Sequence, residues 1–146
     1  MLERRTLQPQ AEHDRAVTVV AADADPLARV GLRALLEQTS DWQWLGHIEE
    51  ARAVLLTVSR LRPDVVLLDS AWDCDSTLVQ ALYTHFPQLS VVILTRPRHQ
   101  RTQDYQRNAR NAGAVATIAR DERPAELVSQ LQRAVADTPV PSAYAG

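Results

Sequence analysis

Five short apolar runs, each followed by a segment of helical periodicity, constrain the fold of this chain more than any other feature. The clearest run is "DVVLLD" at residues 64–69, because four consecutive apolar residues without alternation are typical of a strand covered on both faces. The other runs are "VTVVAA", "WQWLGHI", "SVVILT" and "AVATIA". Strands that alternate with helices form a parallel sheet with helices on both faces. The sequence therefore predicts an α/β fold, a doubly wound, five-stranded parallel sheet.

The first helix is predicted from its start signals and its apolar stripe. Asp25 suits the N-cap and Pro26 suits the first helical position. Apolar residues then recur at helical spacing, namely Leu27, Val30, Ala34 and Leu35. We expect this stripe to face the sheet.

The helix predicted around Tyr105 has a much thinner apolar face than the others. Only Tyr105, Ala109 and Ala112 are available to a core. We therefore expect the segment 98–111 to be the most mobile part of the domain.

The chain divides into one domain and two terminal segments. Residues 1–16 are polar and aperiodic and are predicted to be a flexible lead, whereas 137–146 carry two prolines and small residues and are predicted to be a linker or tail. The remaining residues, 17–136, are enough for one domain with its own core.

Composition narrows the functional class. The net charge of −2 points to neither nucleic acid nor an acidic partner, and all 16 basic residues are arginine. A single cysteine, Cys74, excludes an intrachain disulfide and suits a reducing compartment. The sequence shows neither a membrane span nor the apolar core of a signal peptide. We expect a cytoplasmic protein with no membrane partner.

Polar residues follow four of the five predicted strands. Asp23 follows the first strand, Asp69 ends the third, Thr95 ends the fourth and Arg120 follows the fifth. Ligands of open parallel sheets bind outside the carboxyl ends of the strands, so these residues should converge there. Two carboxylates, a hydroxyl and a cation suit phosphate chemistry, in which a carboxylate accepts a phosphoryl group or holds Mg²⁺.

The segments that carry these residues resemble response-regulator receiver domains, particularly the LuxR/NarL-type receivers that precede a DNA-binding domain. "DPLARVGLRALLE", "LRPDVVLLD", "VVILT" and "NAGA" occur in the family's order and at nearly its spacing. The resemblance covers residues 17–136. It implies the flavodoxin-like, CheY-like fold with strand order 2-1-3-4-5.

The resemblance also assigns roles to the pocket residues. It makes Asp69 the phosphoacceptor, Thr95 the hydroxyl that contacts the phosphoryl group and Asp23 the first acid of the Mg²⁺-binding pair. Four positions depart from the family pattern: the second acid is Ala24, the lysine is Arg120, the small residue after the threonine is Arg96, and the switching aromatic is Thr117.

These departures predict an atypical pocket. Ala24 removes a direct Mg²⁺ ligand, and Asp25 lies one position too far along the chain to replace it. The charges of Asp23 and Asp69 are balanced by those of the two arginines at 96 and 120 without any metal. We therefore expect no cofactor, or only weak Mg²⁺ binding through Asp23 and Asp69.

Three functions are compatible with these residues. The leading hypothesis is an atypical receiver that acts in signal transduction or transcriptional regulation through protein–protein contacts, without catalysis and without routine phosphorylation. The alternative is a conventional receiver phosphorylated at Asp69. A remote alternative is a haloacid-dehalogenase-type phosphohydrolase with Asp23 as nucleophile and Asp25 as acid, but that family requires a lysine and the chain has none.

Partners follow from the same hypotheses. We expect a homodimer, and contact with a sensor histidine kinase or another regulatory protein. DNA is expected only through an output domain, and none is recognisable after Ala136.

Overall fold

The computed structural model describes residues 15–73, 75–96 and 103–136. The predicted tail and all but two residues of the predicted lead lie outside these ranges. Five strands form one sheet, and they are listed in chain order: β1 (Val17–Ala22), β2 (Trp42–Ile48), β3 (Val65–Asp69), β4 (Ser90–Thr95) and β5 (Ala116–Ala119). Every neighbouring pair is parallel and the order is β2-β1-β3-β4-β5, which confirms the predicted architecture.

Helices connect the strands and continue to the end of the described chain. They are α1 (Pro26–Leu36), α2 (Val54–Leu61), α3 (Thr77–His85), α4 (Gln103–Ala112) and α5 (Pro124–Ala136). One-turn 3₁₀ helices precede α2 and follow β3. None of the helices in the described part of the chain is long and apolar enough to cross a membrane.

The sheet carries an apolar core on each face. Successive strand residues point to opposite faces, so Val66 and Leu68 of β3 pack on one side while Val65 and Leu67 pack on the other. Helices α2, α3 and α4 cover the first face, and α1 and α5 cover the second. All strands except the edges are therefore enclosed, as the continuous apolar runs predict.

Strand β2 changes face at an irregularity in its pairing with β1. The register skips Leu45, between Trp44 and Gly46. Before this point Trp42 and Trp44 pack with α1 and α5, whereas Leu45 and Ile48 pack on the opposite core. An extra residue of this kind reverses side-chain alternation, so one edge strand supplies aromatic and aliphatic contacts to both cores.

Only part of the predicted apolar stripe of α1 faces the sheet, namely Leu35, which is partly buried and packs against the core. Leu27 and Val30 are 82% and 66% exposed, while Leu32 and Leu36 are buried against the sheet. Asp25 and proline at the first helical position set where the helix begins, as predicted. They do not set its rotation, because apolar residues occur all around this helix and more than one set has helical spacing.

The end of α4 depends on Gly113, which has a φ of +124°. A Cβ atom there would lie 2.6 Å from the Cβ of Tyr83, so both the backbone angle and the space require glycine. The apolar face predicted for α4 is confirmed, since Tyr105 and Ala109 are buried and Ala112 packs beside them.

Candidate functional site

The carboxyl ends of the strands bring five sequence-predicted residues to one edge of the sheet. Asp23 follows β1, Asp69 ends β3, Thr95 and Arg96 stand at the end of β4, and Arg120 follows β5. The side chains of the two aspartates and the threonine are almost fully buried, at 1–2% exposure. A pair of carboxylates so placed must be compensated by cations or a metal.

Arg96 supplies the first compensation by forking onto Asp69. Its Nη2 donates to Oδ2 at 2.8 Å and its Nε donates to Oδ1 at 3.3 Å. Arg96 itself is 46% exposed, whereas the carboxylate beneath it is 1% exposed. The guanidinium therefore covers Asp69 on the solvent side in the bidentate geometry that arginine forms with carboxylates.

Arg120 supplies the second compensation by contacting both aspartates. Its Nη2 lies 2.7 Å from Oδ2 of Asp23 and 3.6 Å from Oδ1 of Asp69. The shorter contact lacks the angle of a hydrogen bond, and neither Nη2 nor Nε of Arg120 has a hydrogen-bond partner. The interaction is thus an ion pair held by charge at close range. Its distance is the better guide to its strength, because Coulomb attraction does not depend on that angle.

The pKa of the Asp69 carboxyl group is lowered. Burial raises this pKa, but the Arg96 hydrogen bond, the Ala71 backbone N–H and the charges of both arginines lower it further than burial raises it. The Ala71 N–H donates to Oδ1 at 3.0 Å. Asp69 is therefore ionised at neutral pH.

Thr95 is at the site, but its hydroxyl is directed elsewhere. Its Oγ1 donates to the carbonyl oxygen of Ile118 in β5 at 3.4 Å. The hydroxyl therefore tethers β4 to β5 in this conformation.

The donor set fits Mg²⁺ poorly. Ala24 is exposed and offers no side-chain oxygen, so Asp23 and Asp69 are the two pocket carboxylates. Arg120 Nη2 lies against oxygens of both of them. Among the residues that the structure describes, no group of three or more His, Cys, Asp or Glu side chains could hold a metal ion. Mg²⁺ is bound through carboxylates in near-octahedral geometry, and a cation already occupies these two.

A third arginine at the site was missed by the sequence reasoning. Nη1 of Arg29 donates to the backbone oxygen of Asp23 at 3.4 Å and lies 3.2 Å from Oε1 of Glu49. The Arg29 side chain is only 11% exposed. It connects α1 to the end of β1 and to the segment after β2. Nothing in the sequence separates it from the surface arginines.

Asp73 was also missed, although it is a buried carboxylate four residues after Asp69. Its oxygens accept from the backbone N–H groups of Leu78 and Val79 at 2.8 and 3.0 Å, and its side chain caps α3. Burial raises the pKa of Asp73, as does the charge of Asp75, and the two N–H bonds only partly offset them. The hydroxyl of Tyr105 donates to the Asp73 backbone oxygen at 3.3 Å, which fastens α4 to the same loop.

Two further residues follow Asp69 closely in the chain. Trp72 is partly buried and packs against the core beneath α2, α3 and α4. Cys74 lies outside the described residues.

The curated proteins that are similar to this chain in sequence are transcriptional regulatory proteins. No family model matches the chain. The uncharacterised transcriptional regulatory protein YxjL of Bacillus subtilis is 28% identical over 120 residues, which are 81% of this chain and 54% of YxjL. The transcriptional regulatory protein RcsB of Escherichia coli is 30% identical over 84 residues, 54% of this chain and 39% of RcsB. The chain thus spans about half of the length of YxjL and less than half of the length of RcsB.

Solved structures agree on the fold. The signal receiver domain of NarL from Mycobacterium tuberculosis superposes with a TM-score of 0.74 at 21% identity, covering 84% of this chain and 98% of that one. A second match is the isolated receiver domain of RcsB from Salmonella enterica serovar Typhimurium, determined with the phosphomimetic BeF₃⁻. It also superposes with a TM-score of 0.74 at 21% identity, covering 86% of this chain and 93% of that one. The chain therefore has the fold and the sheet order of these receiver domains, and its sequence is similar to those of two transcriptional regulatory proteins.

Proposed function

We propose that this receiver acts in signal transduction and transcriptional regulation through protein–protein contacts, without routine Mg²⁺-dependent phosphorylation of Asp69. The observation that carries the proposal is the arginine clasp, by which we mean Arg96 and Arg120 on Asp69 and Asp23. The clasp satisfies the pocket carboxylates without a metal.

The clasp opposes phosphoryl transfer in two ways. A phosphodonor must approach the Asp69 oxygens directly, and both of them are engaged by Arg96. Transfer also needs a cation that neutralises the developing charge on the phosphoryl oxygens. The pocket lacks the second acid that would hold Mg²⁺, and Arg120 already pairs with Asp23 at 2.7 Å.

The conventional receiver remains the main alternative and one observation favours it. The lowered pKa of Asp69 keeps its carboxylate ionised, which a nucleophilic phosphoacceptor requires. The structure of the RcsB receiver with BeF₃⁻ gives a direct experimental precedent for testing this chain.

The phosphohydrolase alternative requires Asp25 as a general acid. Asp25 Oδ1 accepts from the backbone N–H of Leu27 at 3.0 Å, so its carboxylate caps α1. Asp23 Oδ1 likewise accepts from the Asp25 backbone N–H at 2.9 Å. These bonds favour a structural role for the pair, and the function we propose is not enzymatic.

The proposed partners are a second copy of the chain and a sensor histidine kinase or other regulatory protein in the cytoplasm. The structure of RcsB from Salmonella enterica serovar Typhimurium has been determined with the protein bound to promoter rprA. For this chain we propose that DNA contact belongs to a separate output domain.

The clasp makes a direct prediction for the unaltered protein. Mg²⁺ with and without beryllofluoride should leave the NMR signals of the pocket backbone unchanged at millimolar metal. Acetyl phosphate should leave Asp69 unmodified in intact-mass and peptide mass spectrometry, because no metal site assists transfer.

An Asp69→Asn variant supplies the background for nonspecific phosphorylation, and a conventional receiver treated in parallel supplies the positive control. Saturable Mg²⁺ binding together with acid-labile phosphate on Asp69 would establish the conventional alternative and overturn the proposal.

A further inference from the structure

A groove separates α3 from α4, and we call it the α3–α4 groove. Its volume is about 320 Å³. The polar residues that line it are Asp75, Ser76 and Gln80 on the α3 side and Tyr105, Asn108 and Asn111 on α4. Carboxylate, hydroxyl and carboxamide oxygens are thus brought to one place, and none of the described lining residues is an arginine or a histidine.

Ser76 gives the groove a nearly buried hydroxyl. The residue is 7% exposed and occupies the N-cap position of α3, but its side chain makes no capping hydrogen bond. Its φ of 64° is left-handed, a conformation that residues other than glycine rarely adopt. A hydroxyl that is withdrawn from most of the surrounding water gains from a hydrogen-bond partner that a ligand brings. Ser76 therefore provides a contact point for a donor on the wall of the groove.

The start of α3 does not suit an anion. Its first three backbone N–H groups, the donors with which helix N-termini bind anions, already have acceptors. Thr77 donates to Asp75 Oδ1 at 3.1 Å. Leu78 and Val79 donate to the Asp73 carboxylate at 2.8 and 3.0 Å. Because these two carboxylates also repel a negative ligand, the groove favours a ligand that donates hydrogen bonds.

The charge on the wall of the groove is negative. Hydrogen bonds from the side chain and backbone of Thr77 lower the pKa of the exposed Asp75 carboxyl group, so it is ionised at neutral pH. On α4, Asp104 and Arg107 lie one turn before the groove-lining asparagines and pair with each other at 3.5 Å. Arg110 lies two residues after the first of these asparagines, about 160° around the helix from it. Neither arginine is therefore placed to neutralise Asp75.

We propose that the α3–α4 groove is a protein-interaction surface that receives an arginine side chain of a partner protein. The guanidinium pairs with Asp75 and donates its remaining N–H groups to the carboxamide oxygens and to the Ser76 hydroxyl. This group fits because it brings a positive charge and several N–H donors in one plane, and no acceptor. The ammonium of lysine brings fewer donors, all from one point. The surface is separate from the arginine clasp, and its test does not depend on whether Asp69 accepts phosphate.

The test uses the peptide acetyl-Gly-Arg-Gly-amide as the probe and the full 146-residue chain at low ionic strength. ¹H–¹⁵N NMR should show saturable binding, with shifts concentrated at the Ser76 backbone and at the side-chain amides of Gln80, Asn108 and Asn111. A dissociation constant on the order of 1–10 mM is expected, because a single charged side chain supplies little free energy of binding. The same peptide with citrulline, an uncharged isostere of arginine, should bind at least about fivefold more weakly, and the lysine peptide at least about threefold more weakly.

Asp75→Asn should weaken binding of the arginine peptide by at least about fivefold, because it removes the charge and keeps an oxygen that accepts from Thr77. Asp41→Asn is the matched control: it removes one exposed carboxylate outside the groove lining and should change the dissociation constant by less than about twofold. Asn108→Asp adds a second carboxylate to the groove and should strengthen binding by at least about threefold. Circular dichroism verifies that the three variants are folded.

Any of four results would overturn the proposal. Two concern the unaltered protein: no saturable shifts at peptide concentrations well above the expected dissociation constant, or shifts centred outside the groove. The third is equal binding of the arginine peptide and either comparison peptide, which would show that the guanidinium is not the group recognised. The fourth is an equal effect of Asp75→Asn and Asp41→Asn, which would show that only the net charge of the protein attracts the peptide.

Discussion

Asp69 and Asp73 lie four residues apart and are both buried, yet their pKa values move in opposite directions. Burial raises the pKa of each carboxyl group. At Asp69 the fork from Arg96, the Ala71 N–H and the nearby arginine charges more than offset burial, whereas Asp73 has two N–H donors and the like charge of Asp75. The Asp69 contribution to stability is therefore present above the ordinary aspartate pKa and is lost as pH falls through its lowered value. The proton-linked contribution of Asp73 has the opposite sign: it is present below the ordinary pKa and is lost as pH rises through its raised value, while the two N–H bonds to the carboxylate contribute separately.

The same residue-scale electrostatics predict how a metal site could be restored. The double variant Ala24→Asp with Arg96→Ala adds an acid beside Asp23 and removes the Arg96 fork from the oxygens of Asp69. It should bind Mg²⁺ saturably, with a dissociation constant of about millimolar order, because the third carboxylate supplies an oxygen ligand. Isothermal titration calorimetry with Mg²⁺ measures this directly.

Each single variant is a control for the double one. Ala24→Asp alone leaves the Arg96 fork on Asp69, and Arg96→Ala alone leaves only two carboxylates in the pocket. Each single variant should therefore bind Mg²⁺ more weakly than the double variant does. If Arg96→Ala alone binds Mg²⁺ as well as the double variant does, Ala24 is not the reason that the pocket lacks a metal site.

Helix α3 is held at its start by an aspartate outside its first turn. Ser76, at the N-cap position, has a φ of 64° and makes no side-chain capping bond. The carboxylate of Asp73 caps instead, since it accepts from the N–H groups of Leu78 and Val79. The strand–loop–helix element that carries Asp69 therefore depends on a carboxylate that no ordinary capping pattern indicates.

Asp73→Ala should lower the free energy of unfolding by about 1–3 kcal/mol at pH 7, because two N–H groups lose their acceptor. Urea denaturation followed by circular dichroism measures this loss. Asp75→Ala is the matched control. Asp75 lies in the same loop but is exposed, and its carboxylate accepts hydrogen bonds from Thr77. Its effect should be much smaller. Equal losses in the two variants would show that capping by Asp73 does not stabilise α3.

At the scale of the whole molecule, periodicity and strand-end position were enough to predict the sheet and to place Asp23 and Asp69 together. They could not set the rotation of α1, because Leu27 and Leu32 are equally apolar and only packing selects between them. They also could not separate Arg29 or Asp73 from surface residues, since burial of a charge is decided by tertiary contacts far along the chain. The local sequence pattern was enough to predict the helices and strands. Which side chains become buried depends on contacts that form only in the folded chain.

Strand β3 and helix α4 differ in how firmly they are attached to the domain, and this difference predicts a gradient of local stability. Strand β3 is buried throughout and pairs on both sides, with β1 and β4. Helix α4 is fixed mainly by Tyr105 and Ala109, and most of its other side chains face solvent. Local opening of α4 should therefore cost less free energy than opening of β3. Native-state hydrogen exchange should show α4 amides at least about tenfold less protected than β3 amides, which corresponds to about 1.4 kcal/mol. Tyr105→Phe removes the hydroxyl that donates to the Asp73 backbone oxygen and should widen this difference, whereas Tyr83→Phe, on neighbouring α3, should leave it unchanged. Equal protection of α4 and β3 in the unaltered protein would show that the thin apolar face of α4 does not limit its stability.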